Sequence, residues 1–183
     1  MYNKAHYVGL ILILHLLTGC ATASIPNQYK ISEVPIYTQG SMECGPTSLR
    51  MVLNFYGQNL KQSDLNIASQ TWGTPSYKIE HYARKYGFKV SSFNWMQIVK
   101  IKSLLSQGYP LLIGGTIPKN WPCSLEERTG HWIVVHGYDE DNFSIVDPSC
   151  GKAFEISHET TSEFLIKDKF RTKCIIQIYP KVK

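Results

Sequence analysis

The sequence predicts an α+β domain, and three observations predict it. Apolar residues recur at helical spacing from Cys44 to about Ser106, and short apolar runs bounded by turn residues fill the chain from Leu111 to Tyr179. The two kinds of segment follow one another instead of alternating, as βαβ units would. The expected arrangement is an N-terminal helical half packed on a C-terminal antiparallel sheet.

The first helix opens at Cys44. Pro46 suits its first turn, where a backbone N–H has no intrahelical acceptor to lose. Leu49, Val52, Leu53 and Tyr56 then share a face, and Gly57 supplies the stop. Ser63-Asp64-Leu65 reads as a second helix start. Thr74-Pro75-Ser76 opens another helix, in which Ile79, Tyr82, Ala83 and Tyr86 share a face until Gly87. Phe88 to Phe93 is a short strand, and an amphipathic stretch runs from about Trp95 to Ser106. Tyr109-Pro110 leads into the apolar run Leu111 to Ile117. A loop marked by Pro118, Asn120, Pro122 and Gly130 comes next. Three strands follow, His131 to Tyr138, Phe143 to Val146 and Ala153 to Ile156, the first two joined by a turn at Glu140-Asp141-Asn142. A polar helix around Thr161 to Lys169 precedes a last strand, Cys174 to Tyr179.

The chain has 183 residues, with 19 Lys and Arg against 14 Asp and Glu, for a formal net charge of +5. Such mild basicity is not a nucleic-acid signature: Lys167, Lys169, Arg171 and Lys173 cluster without interleaved aromatics and read as a solvated face. Residues 1–19 read as a secretory signal. Lys4 gives a short positive region, and Val8 to Leu17 is almost wholly apolar but too short to span a bilayer. The closing Leu17-Thr18-Gly19-Cys20 resembles a bacterial lipobox, which implies cleavage before Cys20 and lipid on its thiol. Residues 20–30 are then the lipidated cysteine and a short linker, and 31–183 one domain large enough to bury a core. Removing Lys4 leaves a charge of +4. The expected place is a bacterial membrane, lipid-anchored and facing the periplasm or exterior. Ala21 lacks the Asp that commonly retains lipoproteins at the inner membrane, so in a host with an outer membrane that is the expected site.

The chemistry-bearing residues lie in three segments. Gln39-Gly40-Ser41-Met42-Glu43-Cys44-Gly45-Pro46 sets a thiol at a helix start with a side-chain amide five residues upstream. The positive end of a helix dipole favours thiolate, the nucleophilic form. The amide N–H₂ of Gln39 and the backbone N–H of Cys44 could together hold a developing oxyanion. His131-Trp132-Ile133-Val134-Val135-His136 offers two bases on opposite strand faces. His131, at the strand mouth after Gly130, is the one a substrate can reach, and His136 reads as structural. A base needs an acceptor on its second ring nitrogen to fix its tautomer. The hairpin brings roughly residues 147 to 150 opposite His131, and Asp147 is the acid there.

Gln39, Glu43-Cys44-Gly45-Pro46-Thr47-Ser48-Leu49, Gly130-His131-Trp132-Ile133-Val134-Val135, Gly137-Tyr138 and Asp147-Pro148 resemble the papain-like peptidases related to the bacteriocin-processing, double-glycine-leader family. The resemblance covers most of residues 31 to 180. It implies a papain-like fold with Cys44 as nucleophile, His131 as base, Asp147 as orienter and Gln39 as oxyanion donor. Glu43 stands where those enzymes often carry Asp. The expected activity is acyl transfer to water: thiolate attack on a peptide or amide carbonyl, then hydrolysis of the thioester. Its substrate is a peptide or protein of the cell envelope, with no cofactor and no nucleic acid. Other readings of the same residues are a peptidoglycan amidase or endopeptidase, a transpeptidase of the phytochelatin-synthase type, and a non-catalytic peptide-binding lipoprotein. No Cys-x-x-Cys or His-x-x-x-His pair points to a metal. With Cys20 lipidated and Cys44 reduced, three cysteines remain. Cys174 alternates with Ile176 and Ile178 as a buried residue would, so Cys123 and Cys150 are the expected disulfide. Tyr37, Trp72, Trp121 and Trp132 are candidate cleft aromatics, although the core is the commoner place for such rings.

Overall fold

Leu111-Leu112-Ile113 and Trp132-Ile133-Val134-Val135 are apolar at consecutive positions, the pattern of strands covered on both faces. They form the centre of the sheet. The structure is a computed structural model describing residues 24–66, 73–94, 97–123, 129–166 and 175–181. The leader with Cys20 and Ala21, Trp72, Trp95, the basic cluster and Cys174 lie outside these residues. The elements are, in order, β1 (Tyr29–Lys30), α1 (Cys44–Phe55), a 3₁₀ turn (Gln62–Leu65), α2 (Ser76–Lys85), β2 (Lys89–Phe93), α3 (Ile98–Leu105) and β3 (Leu111–Thr116). Then come β4 (Gly130–Tyr138), β5 (Asn142–Asp147), β6 (Lys152–Ser157), α4 (His158–Ile166) and β7 (Ile175–Tyr179).

Among the described residues seven strands form one sheet of order β2-β7-β3-β4-β5-β6, with β1 added to the far part of β4. Every pairing is antiparallel. Ile113 faces Ile133 across β3 and β4, and Val134 faces Val146 across β4 and β5. One side of the sheet packs Val134, Val146, Ile176 and Ile178 against Leu49, Val52 and Leu53 of α1 and Ile79 and Ala83 of α2. The other packs Ile113, Ile133, Val135 and Ile145 against Ile101 and Leu105 of α3 and Phe164 and Leu165 of α4.

The α+β class stands, and the layering goes beyond the expected two halves. Helix α3, from the helical half, crosses to the opposite face from α1 and α2, and β2 joins the sheet at its edge through β7. Tyr29 and Lys30, read as the end of a linker, are a strand: they pair with Tyr138 and Gly137, and the Tyr138 hydroxyl donates to Pro26 O at 3.0 Å. Two residues with no apolar alternation carry no sequence signal; the free edge of β4 recruits them. Ser63-Asp64-Leu65 is only a 3₁₀ turn, and α4 begins at His158 instead of Thr161. There the Ser157 hydroxyl bonds the Thr160 N–H and starts the helix earlier. Asn142 belongs to β5, because Asp139 Oδ1 accepts the N–H groups of Asp141 and Asn142 and closes the turn one residue sooner.

A disulfide joins Cys123, before β4, to Cys150, between β5 and β6, with Cα atoms 5.7 Å apart. Cys123 is buried and Cys150 half-buried against the same core side. Cys44 is the free cysteine of the described residues. The bond closes a loop with a sequence separation of 27. Replacing both Cys123 and Cys150 with Ser should therefore lower unfolding free energy by roughly 3 to 4 kcal/mol in the chain-entropy account. Denaturant midpoints of wild type and double variant check this, and equal midpoints would remove the bond from the fold's stability.

Candidate active site

Small residues let the start of α1 approach its neighbours closely. Gly45 allows the helix start to lie on Thr74: a Cβ there would sit 2.5 Å from Thr74 Cβ. The Thr74 carbonyl accepts the Trp132 indole N–H at 2.8 Å, and Ser48 Oγ donates to Trp132 O at 3.1 Å. Trp132, the residue beside His131, is thus bonded both to α1 through Ser48 and to Thr74, on which the start of α1 lies. Cys44 is the first helical residue and 8% exposed, and Glu43, as N-cap, makes no side-chain cap to the helix. Its carboxylate instead accepts the Gly40 N–H at 3.2 Å. The first orphan N–H groups of α1 are therefore left without a carboxylate of their own, and the helix's partial positive charge falls on the Cys44 end.

His131 lies one residue inside β4, and only 4% of it is exposed. Its Nε2 is 2.8 Å from Asp147 Oδ1. The Cys44 thiol is close enough to the ring to act on its charge. With Nε2 held by the carboxylate, Nδ1 is the ring nitrogen left for another partner. Burial alone pushes His131 toward neutrality, but the hydrogen bonds and charges of Asp147 and Cys44 outweigh it and raise its pKa to about 9.

Asp147 ends β5 and is wholly buried. Four donors converge on it: His131 Nε2, Trp121 Nε1 at 2.6 Å to Oδ2, and the Ser149 N–H and hydroxyl at 2.7 and 2.6 Å to Oδ1. Burial by itself would raise the acid, yet its bonds to His131, Ser149 and Trp121 hold it below the usual carboxylate range. The Asp-Pro-Ser turn is thus an Asx turn built on the carboxylate.

Gln39 comes to this site through its backbone. Its N–H donates to Pro148 O at 2.8 Å, and its Oε1 is buried without a hydrogen-bond partner. Gly151, at φ +59°, completes the contact: a side chain there would run into Thr38 Oγ1. The segment of Gln39 and the turn after Asp147 are therefore one packed unit.

The structure joins His131 to Asp147, sets Cys44 near that ring and ties the Gln39 backbone to the residue after Asp147. His136 stands apart. The β4 to β5 register shifts between Val135 and Gly137, and Tyr138 rejoins the face of Ile133 and Val135. His136, inside that bulge, has its Nδ1 3.0 Å from Ile31 O, and burial lowers its pKa. Trp121 and Trp132 are buried and use their N–H groups internally, and Tyr37 lies under the Arg50 guanidinium at 3.8 Å. None of the three is an open cleft wall. The sequence reading missed Trp121 and Ser149 as partners of Asp147. Ser149 was recoverable from the Asp-x-Ser spacing of an Asx turn; Trp121, 26 positions away, was not.

Residues 31–167 match the Peptidase_C39 like family. No curated protein matches the chain in sequence. Among solved structures, a C39-like peptidase from Bacillus anthracis superposes with a TM-score of 0.70 at 17% identity, over 86% of this chain and 100% of that one. A double glycine motif protease from an AMS/PCAT transporter, solved with its leader peptide, gives 0.63 at 19% over 83% and 94%. Xylellain, a cysteine protease from Xylella fastidiosa, gives 0.64 at 13% over 87% and 88%. A papain-like sheet with a thiol at the head of its first helix, matched over three quarters of its length to one family, makes this chain a cysteine peptidase belonging to the Peptidase_C39 like family.

Proposed function

We propose that this chain cleaves a peptide bond with Cys44 as nucleophile, His131 as acid and base, Asp147 as the group that orients and charges His131, and Gln39 as oxyanion donor. The observation that carries this reading is a single imidazole bonded to a wholly buried carboxylate and raised in pKa by a neighbouring thiol at a helix start. The carboxylate favours the imidazolium, and the imidazolium together with the helix end favours thiolate. Thiolate adds to the carbonyl carbon. Negative charge moves to the carbonyl oxygen, where the Cys44 N–H and the Gln39 carboxamide stabilise it. The C–N bond then breaks as His131 Nδ1 passes its proton to the amine. A water, losing a proton to the now neutral ring, attacks the thioester and frees the acid and the thiol. Asp147 keeps Nε2 protonated throughout, so Nδ1 is the nitrogen that exchanges protons.

The substrate class is a peptide or protein segment of the cell envelope, extended enough to reach a largely buried thiol. The related double glycine motif protease was solved with a leader peptide, which supports peptide cleavage as the chemistry. Anchoring through lipid on Cys20 would place the enzyme at a bacterial membrane. No helix of the described residues is long and apolar enough to cross a membrane.

Incubation of the chain with envelope peptides and muropeptides, with products identified by mass, tests the reading. Cys44→Ala should give no products, and His131→Ala should lose roughly a hundredfold to ten-thousandfold in turnover. Asp147→Asn should lose less than His131→Ala. His136→Ala should leave turnover near wild type but lower stability by about 1–3 kcal/mol, because Ile31 O loses its partner in the core. Full turnover by His131→Ala beside a dead His136→Ala would reverse the assignment.

The pH dependence follows from the raised imidazolium. His131 must be protonated to release the amine, and its pKa lies at about 9, so turnover should fall as pH rises through about 9. In Asp147→Asn the charge that raises His131 is gone, and this alkaline limb should move to lower pH. Profiles of kcat/KM against pH decide it; an alkaline limb common to both proteins would separate Asp147 from the proton chemistry.

Lipidation is tested separately. Wild type should fractionate with membranes and take up labelled palmitate, whereas Cys20→Ser should do neither. Label retained on Cys20→Ser would overturn the anchor.

A further inference from the structure

The catalytic reading uses three groups around His131 and leaves a fourth feature over: a buried tryptophan bonded to the carboxylate. Building on that reading, we propose that Trp121 is a positioning residue of the reaction, whose indole N–H holds Asp147 Oδ2 so that Oδ1 stays aligned on His131 Nε2. The two carboxylate oxygens are unequally served. Oδ1 takes His131 and both donors of Ser149; the hydrogen bonds found among the described residues leave Oδ2 to Trp121 Nε1, at 2.6 Å.

An indole can donate but cannot accept. Trp121 therefore bonds an unprotonated Oδ2 and opposes any proton placed there, and it resists rotation of the carboxylate away from the ring. The donor is itself immobilised. Trp121 is 8% exposed, stacks on Phe164 at 5.3 Å and 19°, and meets Phe154 edge-on at 6.2 Å and 73°. Two residues later Cys123 is bonded to Cys150, which directly follows Ser149. Both sulfurs lie within 4.8 Å of an Asp147 oxygen. One cross-link thus joins the two segments that supply the carboxylate with donors. A phenylalanine would fill much of the same apolar space; only the N–H acts on Asp147.

The test needs no substrate. The His131 ring is titrated by NMR, and Cys44 is alkylated with iodoacetamide across pH, in the full chain and its variants. Trp121→Phe should shift the His131 titration to lower pH by about a tenfold change in proton affinity, because a loosely held carboxylate stabilises the imidazolium less. The alkaline part of the alkylation profile should move with it. Phe154→Leu, which loosens the same packing without touching the donor, should lower Tm and leave the titration in place. In an Asp147→Asn background Trp121→Phe should produce no further shift, the non-additivity of two groups acting through one contact. An unmoved titration in Trp121→Phe, an equal shift in Phe154→Leu, or full additivity with Asp147→Asn would each overturn the proposal. If Trp121→Phe fails to fold, the wild-type indole N–H resonance of Trp121 decides. It should follow the titration of His131, and a flat response would overturn the proposal. A failure here is distinct from failure of the cleavage reading, which would show as peptide turnover surviving Cys44→Ala.

Discussion

A carboxylate with no exposure to water is the constraint around which the site is arranged. An unpaired charge in such a place is strongly unfavourable, so Asp147 requires several donors and a cation at once, and the architecture supplies them from separate segments. His131 comes from β4, Ser149 from the turn after β5, and Trp121 from the segment before β4. The same bonds that keep the acid ionised keep the imidazole charged and fix which of its nitrogens meets the carboxylate. Stability and the electrostatics of the site therefore draw on one interaction.

The sheet gives that interaction its rigidity. β4 is bonded to β3 on one side and β5 on the other, and its residues pack into both core faces. His131 and Asp147 stand at one end of adjacent central strands, where the backbone has little freedom. Cys44 belongs to a different layer, and its position depends on close approach. Gly45 lets α1 lie on Thr74, whose carbonyl is bonded to Trp132. The bulge at His136 lies at the other end of β4, where it admits β1 and keeps the second histidine bonded to Ile31.

Much of this was legible in the residues. Helical spacing after Cys44, the stop at Gly57 and the strand runs from Leu111 onward are local signals, and the elements formed where those signals lie. Period-two alternation separated His131 from His136, and the hairpin length placed Asp147 near the former. The signal failed where no local pattern exists. Tyr29 and Lys30 became a strand only because β4 had an open edge, and α3 changed face because β2 and β7 extended the sheet between the helices.

The sequence by itself determined the class of fold, the order of its elements, and the types of residue able to carry thiol chemistry. Those properties depend on periodicity, turn residues and functional groups, all written within a few residues of one another. Only the tertiary structure decided which donors hold Asp147, which ring nitrogen of His131 meets it, and that Trp121 serves the carboxylate instead of the cleft. Hydrogen bonds between segments far apart in the chain leave no period in the sequence. They exist only once burial has removed water as the competing partner.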